Sequence, residues 1–241
     1  MAPYPFNPCS SCPNHRFGYC KTMFKLIEKG INKQIVRPHD LPAKHFLFHQ
    51  GDFYDGFFVL QSGWMLVSRI DADGNRQVLR TVLPGETLGL QPDCHGPAIY
   101  SARALTNSVV CNLPCATELC SSHPSLAMCL VKTSTSDMLL TELYLAMINQ
   151  HNAKEKIAFM ILEISYRLKQ RGLNKKNTFQ FPLKQRDIAD MLGLTVIHVN
   201  RILHDLKVEK ILMIKNHDLI IYNYDQLIDL AGQDLIKYRD L

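Results

Sequence analysis

Between about residues 32 and 114 the apolar positions come in short runs separated by turns: HFLF, GFFVL, WMLVSRI, QVLRTVL and SVVCNL. Many short β-type runs at close spacing, without helices between them, predict an antiparallel roll or barrel. Within it, VSRI-DADG-NRQVLRTVL predicts a hairpin with Asp73-Gly74 at the turn. After Pro124 the period changes. Residues 125–150 contain no Gly or Pro and set Met128, Val131, Met138, Leu140, Leu143, Leu145 and Ile148 at helical spacing. Ile157, Ile161 and Ile164 carry the pattern to about Lys169, predicting one long helix or two abutting ones. An apolar stripe that outruns its own domain often pairs with a second copy, which makes Met138, Leu145 and Ile148 candidate dimer contacts. A single connecting helix packed on its own domain is the alternative. Residues 172–181 form a polar connection. Two short helical patterns over 182–207, a hairpin-like LMIKNHDLIIYN and a last helix at 224–237 follow.

The two short patterns predict a helix-turn-helix. The first helix places Ile188, Met191 and Leu192 on one face, and Gly193-Leu194 makes the break. Thr195 is a suitable N-cap for the second helix, because its hydroxyl can accept from a free helical N–H. Val199, Ile202, Leu203 and Leu206 bury one face of that helix. The other shows His198, Arg201 and Asp205, joined toward the N-terminus by Ile197 and Asn200. In this motif the N-terminal part of the second helix enters the major groove of double-stranded DNA. Arg201 can bond guanine O6 and N7 there, and Asn200 can do the same for adenine. Thr195, His198, Lys184 and Gln185 are placed to hold phosphates. The following hairpin would be a wing.

Charge supports that reading. Residues 1–151 hold 12 Lys and Arg against 11 Asp and Glu, residues 152–215 hold 13 against 6, and residues 216–241 hold 2 against 5. A local basic block in a folded segment suits a polyanion. No apolar run approaches the ~18 residues of a membrane helix. The start, MAPYPFNPCSSCPNHR, lacks the features of a signal peptide, so a cytoplasmic protein without a membrane partner is expected.

Eight cysteines in such a chain are more readily free, metal-bound or redox-active than a disulfide framework. Cys9, Cys12 and Cys20 fall within twelve residues of a segment that reads as loop. They can wrap one metal centre, but a fourth ligand must come from elsewhere. Cys94, Cys111, Cys115, Cys120 and Cys129 are candidates, with His15 or His95 less favoured. Cys94, Cys115, Cys120 and Cys129 taken together read as incidental small hydrophobes. Zinc and an iron–sulfur cluster are not separated by spacing alone. No cysteine sits in a strand-turn-helix setting, and neither a Ser/His/Asp set nor a carboxylate pair stands out, so no enzyme is expected.

Taken in order, CSSCPNHRFGYC, FFVLQSGWMLV, LPGETLG, ALTNSVVCNLP, NAKEKIAFMILEISYRL and DIADMLGLTVIHVNRIL resemble the CRP/FNR superfamily, and within it the FNR-type oxygen-responsive regulators. The resemblance spans almost the whole chain. It implies an α+β protein with an N-terminal antiparallel β-roll (jelly-roll, cyclic-nucleotide-binding-like), a long dimerisation helix and a C-terminal winged helix-turn-helix. It implies a 4Fe-4S cluster held by Cys9, Cys12, Cys20 and Cys111, a homodimer, and RNA polymerase as a partner. An intact cluster would favour the DNA-binding dimer, and oxygen would dismantle it.

Two departures qualify the resemblance. FNR proteins read DNA with Glu, Ser and Arg where this chain has Ile197, Asn200 and Arg201, so the half-site should differ. Thr141 stands near the position where FNR proteins place an acidic residue that opposes dimerisation in air, so the dimer here could depend less on the cluster. Control by a cyclic nucleotide is not expected: Glu86 could meet the ribose, but HGPAIYSARAL lacks the phosphate-binding Arg. The expected organisation is a cysteine-rich segment (1–20), a β-roll (21–124), a dimerisation helix (125–170) and a winged helix-turn-helix (171–241). The rival reading is a regulator of the same fold without a cluster, zinc-stapled or metal-free, answering a small molecule in the roll.

Overall fold

A computed structural model describes residues 9, 12–31, 35–91 and 94–232. The chain divides into two compact units, one ending at Thr135 and the other beginning at Ser136.

The first unit opens with a 3-10 turn, Pro13–Arg16, and helix α1, Gly18–Glu28. This segment was expected to be structureless. It is instead held by burial of Tyr19, Met23 and Ile27, one helical turn apart on a single face of α1. Eight strands follow: β1 Arg37–Leu41, β2 Phe46–Phe48, β3 Phe57–Ser62, β4 Met65–Ile70, β5 Arg76–Val82, β6 Thr87–Leu88, β7 Ser101–Ala104 and β8 Ser108–Leu113. They form two antiparallel sheets, ordered β1-β8-β3-β6 and β2-β7-β4-β5. The expected hairpin joins β4 to β5. Asp71 Oδ1 accepts from the amides of Asp73 at 3.0 Å and Asn75 at 2.8 Å, and Gly74 takes the left-handed conformation.

Strand β3 shows how the roll and α1 share a wall. Successive side chains point to opposite faces of a strand. Phe58 and Leu60 enter the interior of the roll with Val67, Leu88 and Val110. Phe57 and Val59 face the other way and pack with Tyr19, Met23, Cys111 and Leu113. Both faces are therefore covered, which is why FFVL is uninterrupted rather than alternating. At Gly56, just before β3, a Cβ would lie 1.9 Å from the Leu113 carbonyl oxygen, and φ is +81°, so only glycine fits.

Beyond β8 come α2, Ala116–Ser122, and α3, Pro124–Gln150. Cys94 and Cys115, expected to be incidental thiols, are joined as a disulfide with a Cα–Cα distance of 5.7 Å. The fold brings them together across 21 residues of sequence. Of the two alternatives for the helical stretch, the structure has two helices. α4, Ala153–Gln170, begins at Asn152, whose side chain accepts from the amides of Lys154 and Glu155 while Glu155 accepts from the Asn152 amide.

In the second unit α4 packs against α6, Val196–Val208, and α7, Tyr224–Ala231. The remainder of the last helix expected at 224–237 lies outside the described residues from 233 onward. The unit also contains β9 Thr178–Gln180, α5 Gln185–Leu192, β10 Leu212–Lys215 and β11 Asp218–Ile221, with sheet order β10-β11-β9. Glu163 is buried on α4. It is paired with Arg167 and accepts from the Tyr144 hydroxyl at 3.2 Å, which offsets its desolvation.

Candidate functional site

Cys9, Cys12, Cys20 and Cys111 line one cavity in the first unit, together with Asn14, Tyr19 and Gln61. Local structure explains how they meet. The Cys12 amide donates to the Cys9 carbonyl at 3.3 Å, and the Cys12 carbonyl accepts from the His15 amide at 3.2 Å, which ties Cys12 to the 3-10 turn that follows. The His15 ring also bonds the Cys12 carbonyl. Cys20 lies in the first turn of α1. Cys111 sits on β8 between Pro38 of β1 and Val59 of β3.

Two residues missed in the sequence lock the segment to the sheet. Asn14 is only 3% exposed, and its Nδ2 donates to the carbonyls of Gln61 at 2.7 Å and Leu60 at 3.4 Å. Gln61 in turn accepts from the Cys111 thiol at 3.5 Å. One residue of β3 thus holds the N-terminal turn by its backbone and Cys111 by its side chain.

Burial sets the electrostatics. It pushes the Cys9 thiol up to about 11, with neighbouring Cys12 adding to the effect. It pushes Cys111 up to about 12, helped by Cys12 and Cys9, and raises Cys12 and Cys20 as well. No Lys or Arg lines the cavity, so without a bound cation the thiols stay protonated near neutrality, and a metal would have to displace those protons. Among the described residues, no three Cys, His, Asp or Glu side chains converge closely enough to hold a metal ion. The donor set still fits a soft centre, because sulfur ligands suit iron–sulfur clusters and zinc. A second observation points the same way. Tyr19 also lines the cavity, and among the described residues its buried hydroxyl has no hydrogen-bond partner. The disulfide removes Cys94 and Cys115 from the ligand candidates. Cys120 and Cys129 are free and half-buried beside the same apolar cluster.

Elsewhere in the roll, Glu86 is buried and turned inward. It accepts from the Leu83 amide at 3.0 Å and lies 3.9 Å from Arg80, whose guanidinium also donates to the Thr87 carbonyl. The carboxylate set against a ribose in the sequence is already engaged within the protein.

In the second unit, α5 and α6 form the expected helix-turn-helix. The Lys184 amide donates to Asp187 at 3.1 Å, which caps the start of α5. Gly193 ends the helix in the left-handed conformation at φ +64°. Thr195 caps α6 by accepting from the His198 amide at 3.2 Å. Val199, Ile202 and Leu206 are buried, Leu203 half so. On the opposite face Ile197 is 80% exposed, and Thr195, His198, Asn200 and Arg201 stand in solvent with Lys184. Asn200 and Gln185, assigned separately to bases and phosphate, are coupled: the Asn200 amide donates to Gln185 at 3.2 Å. β10 and β11 form the wing, closed by Asn216-His217, both with positive φ, as a two-residue turn between right-twisted strands requires.

Along α3, Val131, Met138 and Leu145 are each more than half exposed at seven-residue intervals, while Thr141 is exposed and Ile148 half-buried. No helix among the described residues is long and apolar enough to cross a membrane.

Comparison with known proteins agrees with this architecture. The cyclic nucleotide-binding domain family matches residues 38–117, and the Crp-like helix-turn-helix domain family matches residues 155–230. The fumarate nitrate reduction regulatory protein of Klebsiella oxytoca is 29% identical over 205 residues, covering 84% of this chain and 82% of that protein. Its counterpart in Escherichia coli K12 is 28% identical over 204 residues, covering 84% and 81%. Among solved structures, FixK2 of Bradyrhizobium japonicum superposes with a TM-score of 0.71 at 19% identity, over 82% of this chain and 98% of that one. A CRP-family transcriptional regulator of Thermus thermophilus gives 0.66 at 21% identity, over 80% and 96%. With a cyclic nucleotide-binding-type roll, a long helix and a Crp-like winged helix-turn-helix in one chain, the protein has the domain make-up of a CRP/FNR-type transcription regulator.

Proposed function

We propose that this regulator is of the FNR type, a cytoplasmic homodimer whose binding to specific DNA sites is governed by a 4Fe-4S cluster held by Cys9, Cys12, Cys20 and Cys111. The observation that carries the proposal is that Cys111, remote in sequence, lines the same cavity as the three N-terminal cysteines. The FNR-named relatives support it. When bound, such a cluster supplies a centre that oxygen or another oxidant can dismantle. The chain's own part is to dock the N-terminal turn through Asn14, orient Cys111 through Gln61 and keep water from the sulfurs. The exposed stripe of Val131, Met138 and Leu145, with Thr141 and Ile148 beside it, is the face offered to the second copy, and RNA polymerase is the partner on DNA. On α6, Arg201 and Asn200 read base edges beside Ile197, while Thr195, His198, Lys184 and Gln185 hold phosphates.

The test is the visible spectrum and metal content of protein purified without oxygen. A brown sample that bleaches in air, and loses its affinity for DNA as it does so, is expected. A colourless sample carrying one zinc per chain would favour the stapled regulator and overturn the cluster.

A further inference from the structure

The Tyr19 hydroxyl is a structural anomaly. The residue is 2% exposed and its ring is held edge-on against Phe57 at 5.4 Å, yet its oxygen has no hydrogen-bond partner among the described residues. Leaving a buried hydroxyl unsatisfied destabilises the fold, and phenylalanine in the same place would avoid that cost. The surroundings are specific. Tyr19 lines the cavity with Cys9, Cys12, Cys20 and Cys111, and packs in the same cluster as Cys120 and Cys129. A phenol is a hydrogen-bond donor at neutral pH, and sulfur bound to iron is an acceptor. Nothing else about the residue needs the oxygen, since packing on Phe57 and Met23 uses only the ring.

We infer that Tyr19 is a positioning residue of the cysteine site, whose hydroxyl donates a hydrogen bond to a sulfur of the iron–sulfur group. The inference rests on the cluster reading above. It adds a function that spacing of the cysteines does not reveal: Tyr19 sets how readily the group is oxidised. A donor to sulfur stabilises the more electron-rich state, and hydrogen bonds to the sulfurs are among the levers that set such potentials. Removing the donor should make the group easier to oxidise.

The experiment compares full-length wild type and Tyr19→Phe, each reconstituted anaerobically with ferrous iron and sulfide. The variant deletes one atom and keeps the ring, and circular dichroism with thermal melting of both apo proteins checks the fold. Apo Tyr19→Phe should melt at the same temperature or higher, because an unsatisfied group has gone. The loaded variant should lose its visible absorbance in air roughly ten-fold faster than wild type. The Fe–S stretching bands of wild type should shift in heavy water, and that shift should shrink in the variant. Equal bleaching rates and equal isotope shifts would overturn the role of Tyr19 while leaving the cluster in place. A wild type that takes up no iron would overturn both readings together.

Discussion

Around the cysteine cavity, Cys12, Asn14, Tyr19 and Cys111 are buried and most of their polar groups are used inside the protein. On α6, Ile197, His198, Asn200 and Arg201 stand in solvent. In the first region the groups proposed to hold a ligand also fix the fold, so any chemistry there and the folding rest on the same contacts. The second region presents its side chains to solvent, and its own stability comes from the opposite face, through Val199, Ile202 and Leu206. A residue in the first should be hard to change without cost to the fold, the unpartnered Tyr19 hydroxyl apart. A residue in the second should be free to change, with the cost appearing only in binding.

Three measurements bear on this contrast, in order of expected effect on stability. Reducing the Cys94–Cys115 disulfide should lower the stability of the first unit by about 3 kcal/mol, from loss of loop closure over its 21-residue separation. Denaturant melts with and without reductant read this directly, and a Cys94→Ser variant should show no dependence on reductant. Asn14→Ala should cost about 1–2 kcal/mol, because the Gln61 carbonyl loses its Asn14 donor while the Leu60 carbonyl keeps the Gly85 amide. It should also lower the iron retained on reconstitution, whereas unchanged stability would show that the N-terminal turn is docked by other contacts. Arg201→Ala should move stability by less than about 0.5 kcal/mol. It should weaken specific DNA binding by about 1–3 kcal/mol in a titration at fixed salt. A large loss of stability from Arg201→Ala would break the contrast, and unchanged specific binding would remove α6 from the bases.

The contrast also explains what was legible in the sequence. Patterning found the strands with large apolar residues, such as β3 and β4, and the two helices of the reading motif, because each buries a periodic face against its own neighbours. It passed over β1, RPHDL, an edge strand where Pro38 costs no ladder bond, and β7, SARA, whose buried residues are small. It passed over α1 because the cysteines and prolines before it mask the spacing of Tyr19, Met23 and Ile27. The pairing of Cys94 with Cys115 depends on loops that only the folded sheets bring together. The three N-terminal cysteines were visible from their spacing alone. The choice of Cys111 came only with the family resemblance, and the roles of Asn14, Gln61 and Tyr19 depend on where a polar atom ends up in space.

Strand β3 has a consequence for how such a protein can change over time. With Phe58 and Leu60 in the roll interior and Phe57 and Val59 against the cysteine side, the same backbone is common to both compartments. A substitution that reshapes the roll to admit a new effector must move this strand, and with it Gln61, Asn14 and Cys111. Reshaping one compartment and keeping the other are therefore coupled. A lineage altering either would have to repack both sides together, or give one of them up.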